Sequence, residues 1–133
     1  MYGNNKFVAV GSATDSSGVI TSSDGNNWTP VNIGQNSCWW LSLIYIPSKT
    51  LYVAVGYSYV GYSNGIIMTS NDGNTWSIQN ISDGKIYNSI AYGYVNNQDL
   101  YVIGGLNFTY TSNNGINWTY HSLADKTELK SIV

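Results

Sequence analysis

The sequence predicts an all-β fold built from three similar units, each made of four short antiparallel strands. Short runs rich in Tyr, Trp, Val and Ile alternate with clusters of Gly, Asn, Asp and Ser, a pattern typical of strands and turns. No stretch keeps the apolar period of an amphipathic helix. A third observation fixes the number of units, because one sequence pattern occurs three times in the 133 residues.

The repeated pattern is a short turn that ends in tryptophan. It occupies residues 22–28, 70–76 and 112–118, and the tryptophans lie 48 and then 42 residues apart. The matched positions are Ser22, Asp24, Gly25 and Trp28; Ser70, Asp72, Gly73 and Trp76; and Ser112, Asn114, Gly115 and Trp118. A β-rich run precedes each turn, at 7–11, 52–56 and 101–105.

The middle unit shows the predicted strands most clearly. They span residues 41–46, 51–57, 66–70 and 76–80, and turn residues separate them. Four strands in about 45 residues is the size of one blade of a β-propeller. We therefore expect three blades, formed by residues 129–133 together with 1–34, by residues 35–82 and by residues 83–128.

The chemistry of the tryptophan turn favours a structural role. An Asp carboxylate at its centre can accept backbone N–H groups, Gly permits a positive φ, and Trp covers the hairpin with an apolar face. Asn114 replaces Asp in the third copy. An amide oxygen can still accept N–H bonds, but it makes a poor acid, base or metal ligand.

This turn resembles the Asp-box of BNR-repeat proteins, which reads Ser or Thr, any residue, Asp, any residue, Gly, two further residues, and Trp or Phe. The resemblance extends over the whole chain, with Asn114 as the departure in the third copy. It implies a β-propeller. The family includes sialidases, other glycosidases, sortilin-type receptors, photosystem assembly factors and lectins, so the resemblance leaves the function open.

Three blades are too few for a closed ring, because known propellers have four to eight. Residues 129–133 followed by 1–3 read Ser-Ile-Val-Met-Tyr-Gly at their junction, which is similar to residues 89–93. We interpret the two segments as halves of one innermost strand. Two completions are open: a head-to-tail homodimer with six blades, or further repeats in a longer chain.

Composition argues against several functions. The net charge is −2, with five lysines and no arginine, which excludes a basic surface for nucleic acid or anionic membrane. No apolar stretch is long enough to insert into a bilayer. A sialidase would need an arginine cluster, and nothing marks a pair among the seven carboxylates as a glycosidase acid and nucleophile. We expect no enzyme activity, no cofactor and no metal.

The loops opposite the tryptophan turns are the expected ligand-binding face. The loop 58–65 contains tyrosines among small polar residues, a composition that suits stacking on a sugar. Trp39 and Trp40 are adjacent, so on a strand they point to opposite faces. The candidate ligand-binding residues are Trp39, Trp40, Tyr57, Tyr59, Tyr62, Asp15, Asp83 and Tyr87.

These features predict a non-catalytic recognition module that binds carbohydrate or another surface. Two alternatives remain at this stage: a structural or assembly component of a virion or cell-surface complex, and a fragment of a propeller glycosidase. The partners expected are a second copy or further repeats, together with a glycan or a surface protein.

Overall fold

The computed structural model describes residues 1–13, 18–59, 64–124 and 127–133, and in these residues the only helix is the 3-10 turn Pro47–Lys49. All other regular structure is β. The strands are β1 (Tyr2–Gly3), β2 (Lys6–Val10), β3 (Ser12–Ala13), β4 (Val19–Ser22), β5 (Thr29–Val31), β6 (Cys38–Ile46), β7 (Leu51–Ser58), β8 (Asn64–Ser70), β9 (Ser77–Asn80), β10 (Ser89–Val95), β11 (Gln98–Gly104), β12 (Phe108–Ser112) and β13 (Thr119–Ser122).

The strands form three antiparallel sheets. Sheet 1 has the order β1-β2-β4-β5, sheet 2 the order β3-β6-β7-β8-β9, and sheet 3 the order β10-β11-β12-β13. In each sheet, four strands are arranged in the order in which they occur along the chain, and neighbouring strands of the sheet pair with each other. The predicted all-β fold with three four-stranded antiparallel units is therefore confirmed. In the described residues no helix is long and apolar enough to cross a bilayer.

Sheet 2 has a fifth strand that the sequence did not predict. After β2 the chain leaves sheet 1, and the short strand β3 pairs with β6, so that Ser12 lies opposite Trp39. The reason is the length of β6, which begins at Cys38 and not at the predicted Leu41. A β-bulge between Trp40 and Ser42 accommodates the additional residues.

Sheet 2 is the central layer of the molecule and is buried on both faces. Tyr52, Ala54 and Met68 belong to the apolar core shared with sheet 1. Val53 and Val55 alternate with them along β7 and belong to the core shared with sheet 3. This double burial explains why β7 is apolar at almost every position, whereas a strand with one buried face would alternate with polar residues.

Asparagine pairs close two of the hairpins. Asn4 and Asn5 connect β1 to β2, and Asn96 and Asn97 connect β10 to β11. All four have positive φ, between 47° and 62°. Two consecutive residues with positive φ characterise the type I′ turn, whose twist matches that of the flanking strands.

Residues 129–133 form no strand within the single chain. They lie against sheet 3, where Leu129 N–H donates to the Gly105 carbonyl at 3.1 Å and Ile132 N–H donates to Ser89 Oγ at 2.9 Å. Sheet 2 lies between sheet 3 and sheet 1, to which β1 belongs, so the innermost strand expected from residues 129–133 and 1–3 is not formed within one copy and stays a prediction.

Candidate functional site

The first tryptophan turn is held by a compact set of local hydrogen bonds. Ser22 Oγ accepts the N–H of Gly25 at 2.9 Å and that of Asp24 at 3.3 Å. Asp24 Oδ1 accepts the N–H groups of Asn26 at 2.9 Å and Asn27 at 2.8 Å. Four backbone N–H groups that no strand can use are thereby satisfied.

The other two copies repeat this pattern. Asp72 Oδ1 accepts the N–H groups of Asn74 and Thr75 at 2.8 and 2.7 Å. Asn114 Oδ1 accepts the equivalent two N–H groups, both at 2.9 Å. The amide oxygen therefore makes the same two backbone bonds as the carboxylate does, and these bonds need no negative charge.

Hydrogen bonding keeps the two turn carboxylates ionised. The pKa of Asp24 lies well below its usual value, mainly because the Asn27 N–H and the Asn27 side chain donate to the charged form. The pKa of Asp72 is lowered in the same way, first by the Thr75 N–H and then by that of Asn74. Neither group is suited to donate a proton near neutral pH.

The tryptophan of each turn also packs against an aromatic ring on the second strand of its own unit. Gly25, Gly73 and Gly115 have φ of 77°, 74° and 71°, which permits the sharp reversal. The rings of Trp28, Trp76 and Trp118 lie 6.4, 6.3 and 6.4 Å from those of Phe7, Tyr52 and Tyr101, respectively. These contacts join each tryptophan turn to the second strand at one end of its sheet.

The opposite end of sheet 2 carries three aromatic rings in mutual contact, which we call the aromatic cluster: Trp39, Tyr57 and Tyr59. The ring centroids are 5.8 Å apart for Trp39–Tyr57, 5.6 Å for Trp39–Tyr59 and 5.3 Å for Tyr57–Tyr59. Trp39 is 42% exposed and Tyr59 is 55% exposed, whereas Tyr57 is buried beneath them. Two accessible rings therefore rest on a buried third.

Strand pairing and one loop bond position the cluster. Trp39 lies directly opposite Tyr57 in the β6–β7 pair. Tyr59 follows β7, and its N–H donates to the Ser37 carbonyl at 3.0 Å. Burial raises the pKa of the Tyr57 phenol, and a hydrogen bond to Tyr59 adds to the shift, so the hydroxyl stays protonated at neutral pH.

Trp40 lies away from the cluster, as the alternation of a strand requires. Its ring is buried in the core between sheets 1 and 2 and packs against Gly18. A Cβ atom at Gly18 would lie 3.0 Å from the Trp40 ring, which explains the glycine. The candidate ligand contact at Trp40 is therefore buried in this structure, and Trp40 packs two sheets together.

Asp83 and Tyr87, also candidates, form a partly buried polar group with Tyr110. Asp83 Oδ2 accepts the hydroxyls of Tyr87 at 2.9 Å and Tyr110 at 3.0 Å, and Oδ1 accepts the Lys85 N–H at 3.1 Å. Burial raises the pKa of both tyrosines, that of Tyr110 to about 12. Tyr87 is buried, contrary to the expectation of an exposed ligand contact, because its ring covers Gly65 of sheet 2.

The remaining carboxylates in the described residues are also hydrogen-bonded. Asp99 pairs with Lys49 at 2.7 Å and accepts the Tyr92 hydroxyl, and Glu128 pairs with Lys130. Two of the candidate residues, Asp15 and Tyr62, lie outside the described residues. Within the described part of the chain, no three His, Cys, Asp or Glu side chains come together that could hold a metal ion.

A groove on sheet 3 was not anticipated from the sequence. It has a volume of about 270 Å³, and Lys85, Ile86, Leu106 and Phe108 contribute to its lining. Lys85 Nζ lies 5.8 Å from the centre of the Phe108 ring. Lysine beside an aromatic strand residue is common, so no sequence signal distinguished this position.

The chain was also compared with known proteins. No protein-family model matches it, and no curated protein matches it in sequence. A function has to be proposed from the geometry of the site.

Proposed function

We propose that this chain is a non-catalytic recognition module that binds carbohydrate through the aromatic cluster. The observation that carries the proposal is the arrangement of Trp39 and Tyr59, two exposed rings supported by the buried Tyr57. Exposed aromatic rings in contact at the end of a rigid sheet are uncommon unless they meet a ligand or a partner.

The cluster has the chemistry that sugar recognition needs. A pyranose ring has apolar C–H faces that pack on an aromatic face and hydroxyls at its edge that need hydrogen-bond partners. Trp39 supplies the broad face, and the Tyr59 hydroxyl supplies a donor and acceptor beside it. A neutral ligand also suits a chain with only 9% charged residues.

The cluster is largely preorganised. Trp39 is fixed by its strand and by contacts with both tyrosines, and Tyr59 by the bond to the Ser37 carbonyl. A ligand that binds there immobilises few side chains, so less conformational entropy is lost on association.

We further propose that the three sheets are blades of a β-propeller. Three features support this: the same strand order in every sheet, an apolar layer between each pair of successive sheets, and a tryptophan turn at the same point of each unit. The resemblance of those turns to the Asp-box points the same way.

The carboxylates favour binding without catalysis. All five in the described residues are hydrogen-bonded to groups of their own fold, as described above. A glycosidase needs two carboxyl groups facing one substrate bond. The chain also has no arginine with which to hold an acidic sugar in a bidentate manner.

A second candidate is an assembly module that contacts another protein through the same rings. Leu41 is exposed close to Trp39, which widens the apolar surface. Aromatic residues are enriched in protein interfaces, so this surface suits a protein partner as well.

A glycan array followed by fluorescence titration tests the carbohydrate proposal. We expect binding of a neutral sugar that changes tryptophan emission, and about a tenfold or greater loss of affinity in Trp39→Ala, which corresponds to roughly 1.4 kcal/mol. The control is Tyr94→Ala, which removes an exposed ring beside the β10–β11 turn.

Two results would reject the carbohydrate reading. One is the absence of binding to any sugar at millimolar concentration. The other is binding that Trp39→Ala leaves unchanged. A protein complex that Trp39→Ala disrupts and Tyr94→Ala does not would support the assembly reading in its place.

A further inference from the structure

We propose that two copies of this chain associate head to tail, with residues 129–132 of each copy extending the inner edge of β2 in the other. The association is independent of the proposed ligand. It follows from two contacts that the chain repeats between its own sheets, and from an edge and a face that sheet 1 leaves without a partner.

The first repeated contact is made by a serine side chain. Ser42 Oγ in sheet 2 accepts the N–H of Ile90 in sheet 3 at 3.3 Å. Ser89 Oγ in sheet 3 accepts the N–H of Ile132 at 2.9 Å. Ile90 follows Ser89, just as Ile132 follows Ser131. Residues 131–132 therefore lie against sheet 3 as residues 89–90 lie against sheet 2.

The second repeated contact is a backbone hydrogen bond made two residues before the serine position, by Trp40 before Ser42 and by Leu129 before Ser131. Trp40 N–H donates to the Gly11 carbonyl of sheet 1 at 3.3 Å, and Leu129 N–H donates to the Gly105 carbonyl of sheet 3 at 3.1 Å. Gly11 and Gly105 are equivalent positions of the repeat. Residues 129–132 thus lie where the inner strand of another sheet would begin.

The inner strand of sheet 1 is short, since β1 has only two residues. Tyr2 and Gly3 of β1 pair with Phe7 and Lys6, and Met1 exchanges two backbone bonds of 2.9 Å with Val8. In sheet 3 the same pairing continues for two further residues, with Ile90 opposite Ile103 and Ser89 opposite Gly104.

The equivalent positions on β2 are Ala9 and Val10, and among the described residues no strand pairs with them on that edge. Placing Ser131 of a second copy opposite Val10, and its Ile132 opposite Ala9, reproduces the pairing of sheet 3. Met1 keeps its place opposite Val8, so Val133 of the second copy leaves the strand pairing at that point. An open edge of this kind is a template for strand addition.

The serine contact also has a counterpart in sheet 2, where the Leu43 N–H is the donor and the Ser131 hydroxyl of the second copy would be the acceptor. Leu43 lies opposite Ala54 as Ile90 lies opposite Ile103, so the Leu43 N–H points away from β7 as the Ile90 N–H points away from β11. In the described part of the chain this N–H has no acceptor. Ser131 of the second copy, placed opposite Val10, supplies the hydroxyl that Ser42 supplies to Ile90.

The outer face of sheet 1 is apolar and uncovered. Phe7, Ala9 and Ile20 are equivalent to Tyr52, Ala54 and Met68, which pack on the preceding sheet. In sheet 1 these residues are only partly buried, and a depression of about 200 Å³ lies beside Ala9 and Ile20.

A second copy is the occupant because it brings both missing parts together. Its residues 129–132 carry the serine and the apolar side chain in the required order, and its sheet 3 covers the open face of sheet 1. The same contact made twice closes a ring of six sheets, which lies within the range of known propellers.

Light scattering on the 133-residue protein tests the association. We expect a mass of about twice 14.6 kDa. Ile132→Asp and, on the receiving face, Ile20→Lys should each give monomers with an unchanged β-sheet circular dichroism spectrum. Lys130→Asp, an exposed neighbour of Ile132, should leave the mass doubled.

A cysteine pair tests the register. Val10→Cys combined with Ser131→Cys should form a disulfide between copies, because directly opposed residues of an antiparallel pair lie roughly 5.5 Å apart. A bond within one chain is ruled out, since sheets packed face to face lie roughly 10 Å apart and sheet 2 intervenes. Cys38 is buried and does not compete.

A monomeric mass at every concentration tested would overturn the proposal, and would leave the open face to further repeats of a longer chain. Masses far above two copies would overturn ring closure. A disulfide that forms equally well between Val10→Cys and Lys130→Cys would overturn the register.

Discussion

Substitution of the adjacent residues Ile67 and Met68 tests whether sheet 2 is enclosed between two apolar layers. They are 1% and 0% exposed and belong to different cores, Ile67 to the one shared with sheet 3 and Met68 to the one shared with sheet 1. Replacement by Ala removes three heavy atoms from each side chain. At about 0.8 kcal/mol per buried methylene-sized group, the transfer loss is roughly 2.4 kcal/mol. The cavity left behind brings each cost to about 3–4 kcal/mol.

Urea unfolding followed by tryptophan fluorescence measures both costs. The matched control is Ile116→Ala, since that side chain is 65% exposed and its loss should change the free energy of unfolding by less than about 0.5 kcal/mol. Measurements at several protein concentrations separate folding from association. A cost below about 1 kcal/mol for either Ile67→Ala or Met68→Ala would refute the reasoning, because β8 would then have only one buried face.

Three further predictions concern single polar contacts. The pKa of Asp72 is lowered in the folded state, so its contribution to stability is present above the unfolded pKa of about 3.9 and is lost as the pH falls through and below that value; Asp72→Asn should flatten this dependence in melting curves between pH 2 and 6. The buried Tyr52 hydroxyl donates to the Gly3 carbonyl, so Tyr52→Phe should lower the free energy of unfolding in urea by about 1–2 kcal/mol. The Lys49–Asp99 ion pair is partly exposed, so Lys49→Ala should cost less than about 1 kcal/mol, and less again in 1 M salt.

Each of these has a contrary outcome. An acid melting profile that is the same in Asp72→Asn would mean that the carboxylate bonds do not stabilise the fold. A Tyr52→Phe protein as stable as the original would mean that the carbonyl finds another donor. A salt-independent loss in Lys49→Ala would indicate lost packing of the lysine stem and not lost charge.

The parts of the fold that the sequence predicts best are those made by local chemistry. Asp24 bonds to N–H groups two and three residues ahead, so the turn is specified within a single heptad. The same holds for the third turn. The prediction required only an acceptor oxygen at Asn114, and Asn114 Oδ1 accepts two backbone N–H groups. The antiparallel order of strands followed from short connections in the same way.

Contacts between sheets could not be predicted from the sequence, because they depend on residues that are far apart along the chain. Tyr87 was a candidate ligand-binding residue because it follows a loop on the expected ligand-binding face. Its side chain is buried, because Gly65 of the neighbouring sheet leaves space for the ring. The alternation of Trp39 and Trp40 was predictable, but which of them is exposed was not. That choice depends on packing between sheets, because Gly18 leaves space for the Trp40 ring in the core between sheets 1 and 2.

Comparison of equivalent positions shows why the proposed recognition site lies on sheet 2. Trp39 and Tyr57 correspond in the repeat to Ile86 and Leu106 of sheet 3, which are exposed and aliphatic. The backbone therefore presents side chains at the same two points in both units, and only the middle unit places aromatic rings there.

Under the proposed function, this difference limits the number of sugars that one chain would bind. If the loops of all three units bound alike, a titration would saturate at three ligands per chain. The aromatic cluster occurs once in the described residues, so calorimetry should give one sugar per chain, and two per closed pair of copies. Two clusters on one rigid ring would bind a branched or surface-bound glycan more tightly than a free monosaccharide, because the second contact is made within an already formed complex. A stoichiometry of three would contradict the assignment of the site to Trp39 and Tyr59, and would leave the question of association unaffected.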